Sequence, residues 1–149
     1  MSARVIALHV RPAKSDDPQA VDAATGRVGG GIEGDFHVAK AQRSVLVLDR
    51  TTLDAHGLQP GELREQITIE GLRDVTTLEP GTLVRIGGLT LRVNGPAAPC
   101  THIGEVLGIE DREAFRQSLE GRRGAACTVV EASAPVRVGD PVEVVVPVA

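Results

Sequence analysis

Leu83-Val84-Arg85-Ile86-Gly87-Gly88-Leu89-Thr90-Leu91-Arg92-Val93 decides how this chain folds. Each run flanking the glycine pair reads as a short strand, and the second alternates apolar and polar residues as a half-buried strand does. Gly87-Gly88 between them suits the positive φ angles of a two-residue hairpin turn. Leu89, Leu91 and Val93 share one face, and Thr90 and Arg92 share the other. Pro80-Gly81 opens the hairpin.

The same grammar extends outward. Val5 to Val10 reads as a first strand, and Pro12 to Ala20 as a polar loop. Ser44 to Leu48 is continuously apolar, the mark of a strand buried on both faces. Arg64 to Ile69 alternates, with Ile67 and Ile69 inward and Arg64, Gln66 and Thr68 outward. Ala125 to Glu131 is a further strand, and Pro135 to Val146 supplies one or two more around Gly139-Asp140. Asp49 is placed to cap a short helix through Ala55, which Gly57 ends. Asp111 to Leu119 carries a helical pattern, with Phe115 and Leu119 at i, i+4, closed by Gly121 and Gly124. About seven strands and two short helices predict a mainly β (or α+β) fold: a closed or partly open β-barrel with helical excursions. A sandwich is the second architecture this pattern allows.

Composition agrees. The 149 residues suit one domain spanning 1–149, and 42% are hydrophobic, enough for a core. That core must be aliphatic, because Phe36 and Phe115 are the only aromatic residues. The net charge of -4, with no basic run and almost no aromatics to stack bases, argues against nucleic acid as a partner. A mildly acidic chain can still hold a local basic pocket. No apolar stretch is long enough to span a membrane, and Arg4, His9, Arg11 and Lys14 interrupt the amino-terminal apolar run. The expectation is a cytoplasmic protein whose thiols stay reduced. Cys100 and Cys127 form no C-x-x-C pair, so a cysteine-built zinc site lacks ligands.

Chemistry concentrates at Gly95-Pro96-Ala97-Ala98-Pro99-Cys100-Thr101-His102. The prolines stiffen the approach to Cys100 and remove backbone donors. A thiol presented so can serve as a nucleophile, a sulfur carrier or a soft-metal ligand, and nearby cations favour the reactive thiolate. Arg64, Arg92 and Arg123 are the arginines expected near it. Two further stretches can join: Gly34-Asp35-Phe36-His37, and Leu63-Arg64-Glu65-Gln66-Ile67, with Arg122-Arg123 beside them. The set offers a thiol, imidazoles, carboxylates and fixed positive charge, suited to an anionic ligand with a soft centre. The glycines of Gly26 to Gly34 match neither a dinucleotide fingerprint nor a P-loop, so they serve backbone shape or close approach. Read singly, Asp35 closes a turn, His37 bonds backbone, the arginines are solvated, and Cys127 is core. If the segment is extended, Cys100 and His102 face one way, as a hydrolase dyad would need, but no third group is identifiable. A zinc site from His37, Cys100 and His102 lacks a recognised ligand spacing.

In order and spacing these stretches resemble the MOSC domain, named for the carboxyl-terminal part of molybdenum cofactor sulfurase. Gly34-Asp35-Phe36-His37 with the strand ending at Asp49 is similar to the family's Gly-Asp-x-His and following strand. Gly61 to Leu72 resembles its Arg-Glu-Asn-Ile segment, with Gln66 where Asn is common. Pro99-Cys100 resembles its Pro-Cys signature, though Ala97 and Ala98 stand where relatives often carry arginine. The resemblance implies a barrel-like β fold that binds a molybdenum–pterin cofactor or carries sulfur on the cysteine as a persulfide. It makes Cys100 the sulfur carrier or molybdenum ligand, with Asp35 and His37 shaping the pocket or handling protons. It places Arg64 on the cofactor's phosphate, with Gln66, Thr101, His102 and Arg123 as further cofactor-binding residues. It implies a partner: a sulfur donor such as a cysteine desulfurase, or a redox protein. The competing readings are a non-catalytic partner-docking barrel with a degenerate pocket and a cysteine-dependent hydrolase.

Overall fold

A computed structural model describes residues 2–40 and 42–145. The central hairpin forms as the glycine pair dictates. β6 (Leu83–Ile86) and β7 (Leu89–Pro96) pair antiparallel from Ile86↔Leu89 to Leu83↔Arg92. Gly87 adopts φ 56°, and a Cβ on Gly88 would lie 2.3 Å from the carbonyl oxygen of Ala134, so the turn admits no side chain there.

The remaining elements, in chain order, are as follows. β1 (Ala3–Val10), β2 (Gln19–Val21), β3 (Ala23–Ala24) and β4 (Val45–Asp49) precede α1 (Arg50–Ala55). β5 (Ile67–Glu70) and a 3-10 turn at Val75–Thr77 lead into the hairpin. α2 (Thr101–Val106) and α3 (Arg112–Ser118) then precede β8 (Ala125–Ala132), β9 (Val136–Arg137) and β10 (Pro141–Val145). The order β10-β6-β7-β8-β4-β5-β1 is closed by pairing of β1 with β10, giving a seven-stranded barrel among the described residues. β4 and β5 pair parallel and their neighbours antiparallel, so the barrel is mixed. β2 extends the sheet beyond β1, and β3 pairs with β9 in a separate ribbon. Closure leaves few free edges, which an exposed hydrophobic sheet needs.

Two clusters fill the interior. Val5, Leu8, Ile67, Ile69, Leu91 and Val129 are among those lining the barrel core. Leu48, Leu53, Leu63, Ile103, Phe115 and Leu119 form a second cluster, to which all three helices contribute. β4 lies between them: Val45 and Val47 enter the barrel and Leu48 the second cluster. Its unbroken apolar run is explained by burial on both sides. Asp49 caps α1 as its spacing predicts, accepting from Thr51 N at 2.9 Å, and Asp111 caps α3, accepting from Ala114 N at 3.0 Å.

Four expectations are corrected. Arg64 is not on a strand: β5 begins at Ile67, and Arg64 sits in a turn with φ 68°. Thr68 does not face solvent, because α1 packs on β5 and Thr68 is buried, donating to Glu65 Oε2 at 2.7 Å. The segment after Cys100 is not extended. It is α2, with Cys100 at its N-cap, held by Ile103 in the second cluster and by Gly104 packed close against Arg112 of α3. Gln19 to Ala20, expected in a loop, belong to β2.

Candidate functional site

The glycine-rich segment builds the first wall. A Cβ on Gly30 would meet the Val38 carbonyl oxygen at 2.2 Å, and one on Gly31 the Ser44 carbonyl oxygen at 2.6 Å. These glycines therefore serve close backbone approach. They deliver Asp35 into the protein, where it is 3% exposed. Asp35 Oδ1 accepts from Arg11 N at 2.8 Å, and Oδ2 from His37 N at 3.0 Å and Gln66 Nε2 at 3.2 Å. His37 Nδ1 stands 3.3 Å from the same Oδ2. Burial pushes the Asp35 carboxyl up, but these donors together outweigh it and hold the group below its ordinary value. Asp35 thus ties the end of β1 to the glycine-rich loop and to Gln66. Gln66 in turn accepts from Leu46 N at 2.7 Å, fixing β4.

Around this staple the fold collects positive charge. A cavity of ≈ 200 Å³ is lined by Arg11, His37, Lys40, Arg43, Arg64, Gln66 and Arg123, with Ala97, Ile103 and three further apolar residues. A second, of similar size, shares Arg11, His37, Lys40 and Arg64 and adds Lys14, Phe36 and His102. Arg11 lies over the Phe36 ring at 4.7 Å, and its guanidinium is held below the ordinary arginine range by burial and then by the charge of Arg64. Same-sign crowding of this kind is unfavourable without an anion and favourable with one. A third cavity, ≈ 270 Å³, opens beyond Arg64 between His9, Asp17, Gly61, Glu62 and Leu107, so the carboxylates lie on that far side.

Cys100 is exposed, at the start of α2, between the cavity-lining residues Ala97 and Ile103. Arg123 lies within electrostatic reach of it. Arg123 is 7% exposed and donates to Ala98 O at 3.3 Å and Leu63 O at 3.0 Å. Beneath it Glu65 is fully enclosed; Oε2 accepts from Gly61 N and Thr68 Oγ1, and burial pushes its carboxyl up.

The structure thus brings His37, Arg64, Gln66 and Arg123 to one cavity wall, with Asp35 bonded behind Gln66 and His102 on the outer wall, while Cys100 lines neither cationic cavity and lies within electrostatic reach of Arg123. Thr101 is exposed and lines neither cationic cavity. Arg92 points away, donating to Asn94 Oδ1 at 3.2 Å, and Arg122 is exposed. His102 is 70% exposed and lies 3.8 Å from Glu105, so the premise of a dyad on an extended segment fails with the helix. Among the described residues no group of three His, Cys, Asp or Glu could hold a metal ion, so His37, Cys100 and His102 do not assemble as a zinc site. Cys127 is core, its thiol pushed up to about 12 by burial. Sequence reasoning missed Arg11, Lys40 and Arg43. Each is a lone charge in a loop or at a strand end, and nothing local distinguishes it from a solvated side chain.

The fold is a mixed β-barrel that carries a cationic cavity. The sequence matches the MOSC domain over residues 25–143, and the chain belongs to the MOSC domain family, whose members are associated with molybdenum cofactor binding and sulfur transfer. The fold is similar to that of the YuaD protein from Bacillus subtilis, with TM-score 0.83 and 23% identity over 97% of this chain and 96% of that one. It is also similar to YiiM from Escherichia coli, with TM-score 0.72 and 20% identity over 100% of this chain and 72% of that one. YiiM from Geobacillus stearothermophilus gives TM-score 0.72 and 18% identity over 96% and 75%. No curated protein matches the sequence. No helix among the described residues is long and apolar enough to cross a membrane.

Proposed function

We propose that this chain binds a molybdenum–pterin cofactor at the cationic cavity, or carries sulfur on Cys100 for delivery to such a cofactor. The observation that carries the reading is the cavity wall, where Arg11, Lys40, Arg43, Arg64 and Arg123 converge, with the exposed Cys100 within electrostatic reach of Arg123. Asp35, the buried carboxylate that bonds the lining residues Arg11, His37 and Gln66, is already engaged by three hydrogen-bond donors.

The residues fit the group. Arginine forks bind phosphate bidentately, and lysine adds a point charge. Cys100 provides one soft ligand, and the pterin's own dithiolene would supply others, so no protein cage of metal ligands is required. When bound, the cofactor would supply oxygen-atom or electron-transfer chemistry at molybdenum. Arg64 and Arg11 would hold the phosphate, Asp35 and Gln66 keep the loop and β4 in register, and Cys100 would supply the thiolate. In the carrier version, the Cys100 thiolate attacks the outer sulfur of a donor persulfide. The new S–S bond forms on Cys100, the donor's S–S bond breaks, and the donor leaves as a thiolate. The donor is a protein such as a cysteine desulfurase; in the cofactor version the partner is a redox protein.

The test is molybdenum and pterin content of the native protein beside a Cys100→Ser variant, both purified without oxygen from a cofactor-producing host. Near-stoichiometric cofactor, lost in the variant, establishes Cys100 as a ligand. No cofactor in either, with a trapped persulfide on Cys100, establishes the carrier. Neither cofactor nor persulfide overturns both and leaves a binding module.

A further inference from the structure

We infer that Glu65 is the positioning residue of Arg64: its buried carboxyl is the acceptor on which the turn from Gly61 to Glu65 closes, and that turn holds Arg64 left-handed with its side chain in the cationic cavities. This deepens the reading above and rests on it for the importance of Arg64.

Between α1 and β5 the chain follows neither helix nor strand. Its backbone groups therefore find partners outside any ladder. Gly61 is bonded on both sides. Its N–H donates to Glu65 Oε2 at 3.1 Å, and its carbonyl accepts from Arg64 N at 2.9 Å. One residue thus joins the Glu65 side chain to the Arg64 backbone. Only glycine serves there, because φ is 90° and a Cβ would lie 2.7 Å from Nε2 of the His9 ring. Glu65 Oε2 also accepts from Thr68 Oγ1 at 2.7 Å, which ties the turn to β5. From the other side Arg123 Nη2 donates to Leu63 O at 3.0 Å.

Burial decides which side chain leaves the turn. Leu63 and Glu65 are 0% and 1% exposed and line none of the three cavities described above, whereas Arg64, between them, lines all three. Arg64 Nη1 donates to Asp16 O at 3.3 Å, which fixes the far end of the side chain. A residue with a Cβ takes φ 68° only where its surroundings impose it. The surroundings here are the turn and the carboxyl inside it. Among the described residues no cation lies within ion-pair distance of Glu65. A carboxyl so enclosed is costly unless hydrogen bonds meet its oxygens. Burial pushes it up, and the Thr68 hydroxyl, then the N–H groups of Gly61, Glu65 and Leu63, oppose that. The turn is wound around its own carboxyl, as a backbone nest is around an anion.

The experiment compares Arg64→Gly with Arg64→Ala in the full chain, once with Glu65 and once with Glu65→Ala, by urea unfolding followed by far-ultraviolet circular dichroism. With Glu65 present, Arg64→Gly is expected to have a folding equilibrium constant about fivefold above that of Arg64→Ala. With Glu65→Ala that advantage disappears, because position 64 is no longer held left-handed. A carboxyl that only adds stability lowers every constant and leaves the advantage intact. That outcome overturns the proposal, as does the lack of any advantage with Glu65 present. Calorimetry with inorganic phosphate adds a second readout. Glu65→Ala should weaken binding as far as Arg64→Ala does, about tenfold, and the double variant should lose no more. Full affinity in Glu65→Ala overturns the proposal. If the Glu65→Ala variants do not fold, amide exchange in the wild type takes their place. The Gly61 and Arg64 amides should be released together, and a Gly61 amide exchanging far ahead of that of Arg64 overturns the proposal. A wild type that binds no phosphate sinks the cofactor reading instead, and the unfolding comparison still decides this one.

Discussion

Arg64 sets its backbone against its side chain. It is the one non-glycine residue at positive φ among those described, at 68°, and the turn that holds it is closed by Arg64 N donating to Gly61 O at 2.9 Å. A left-handed residue with a Cβ costs roughly 1–2 kcal/mol. The fold accepts that cost and gains a guanidinium at the junction of all three cavities. Arg64→Gly is therefore expected to be more stable than Arg64→Ala by about 1 kcal/mol, while both lose the same affinity for inorganic phosphate. Urea unfolding followed by far-ultraviolet circular dichroism checks it, since the chain has no Trp or Tyr to report by fluorescence. Equal stabilities would show that the strained backbone is not the cost. Asp35 sets a pH dependence. Its carboxyl titrates below the ordinary value in the folded chain, so its contribution is full above the ordinary aspartate range and is lost as pH falls through the folded value. Asp35→Asn should flatten the acid limb of stability below about pH 4; an unchanged acid limb would assign acid unfolding to other carboxylates. Asp35, His37, Arg64 and Cys100 were visible in the sequence as chemistry-bearing types. The donors that saturate Asp35 were not, because Arg11 N and Gln66 lie 24 and 31 residues away.

At the scale of elements, turns were legible and irregular joints were not. Gly87-Gly88 and Asp49 signal locally, and each does what its signal says; the cap at Asp111 was not read. α2 was hidden. Gly104 lies inside it and disfavours helix on propensity alone, and the helix is held instead by Ile103 and by packing on α3. The turn before β8 is the joint on which the site depends most. A Cβ on Gly124 would lie 2.5 Å from Val47 O at a φ of 98°. Gly124→Ala is expected to cost about 2–3 kcal/mol and to lower the thermal midpoint followed by circular dichroism. A change within 0.5 kcal/mol, roughly the scale of a neutral surface substitution, would mean that the backbone of β4 yields there.

For the whole molecule, closure is the weak step. β7 and β8 pair along their length, from Leu89↔Ala132 to Pro96↔Ala125, whereas among the described residues β1 and β10 share only Ala3↔Val142 and Arg4↔Pro141. Val5 N to Asp140 O and Gly139 N to Val5 O add two bonds at 2.9 Å beside that seam. Local opening follows the sparsest pairing. Hydrogen exchange should therefore release the amides of Val5 and Gly139 well before those of Leu91 and Val129. Equal protection would show that the barrel opens only as a unit. From the sequence came most of the strands, the aliphatic core, the hairpin and the Asp49 helix cap, because these depend on residues a few positions apart. It also marked Cys100, through the prolines that stiffen its approach. Only the tertiary structure decided that Arg11, Lys40, Arg43, Arg64 and Arg123 face one another, and that Arg92 and Arg122 do not. A charge in a loop carries no local sign of its destination. Its position is set by which strands meet when the barrel closes, and that is a property of long-range packing.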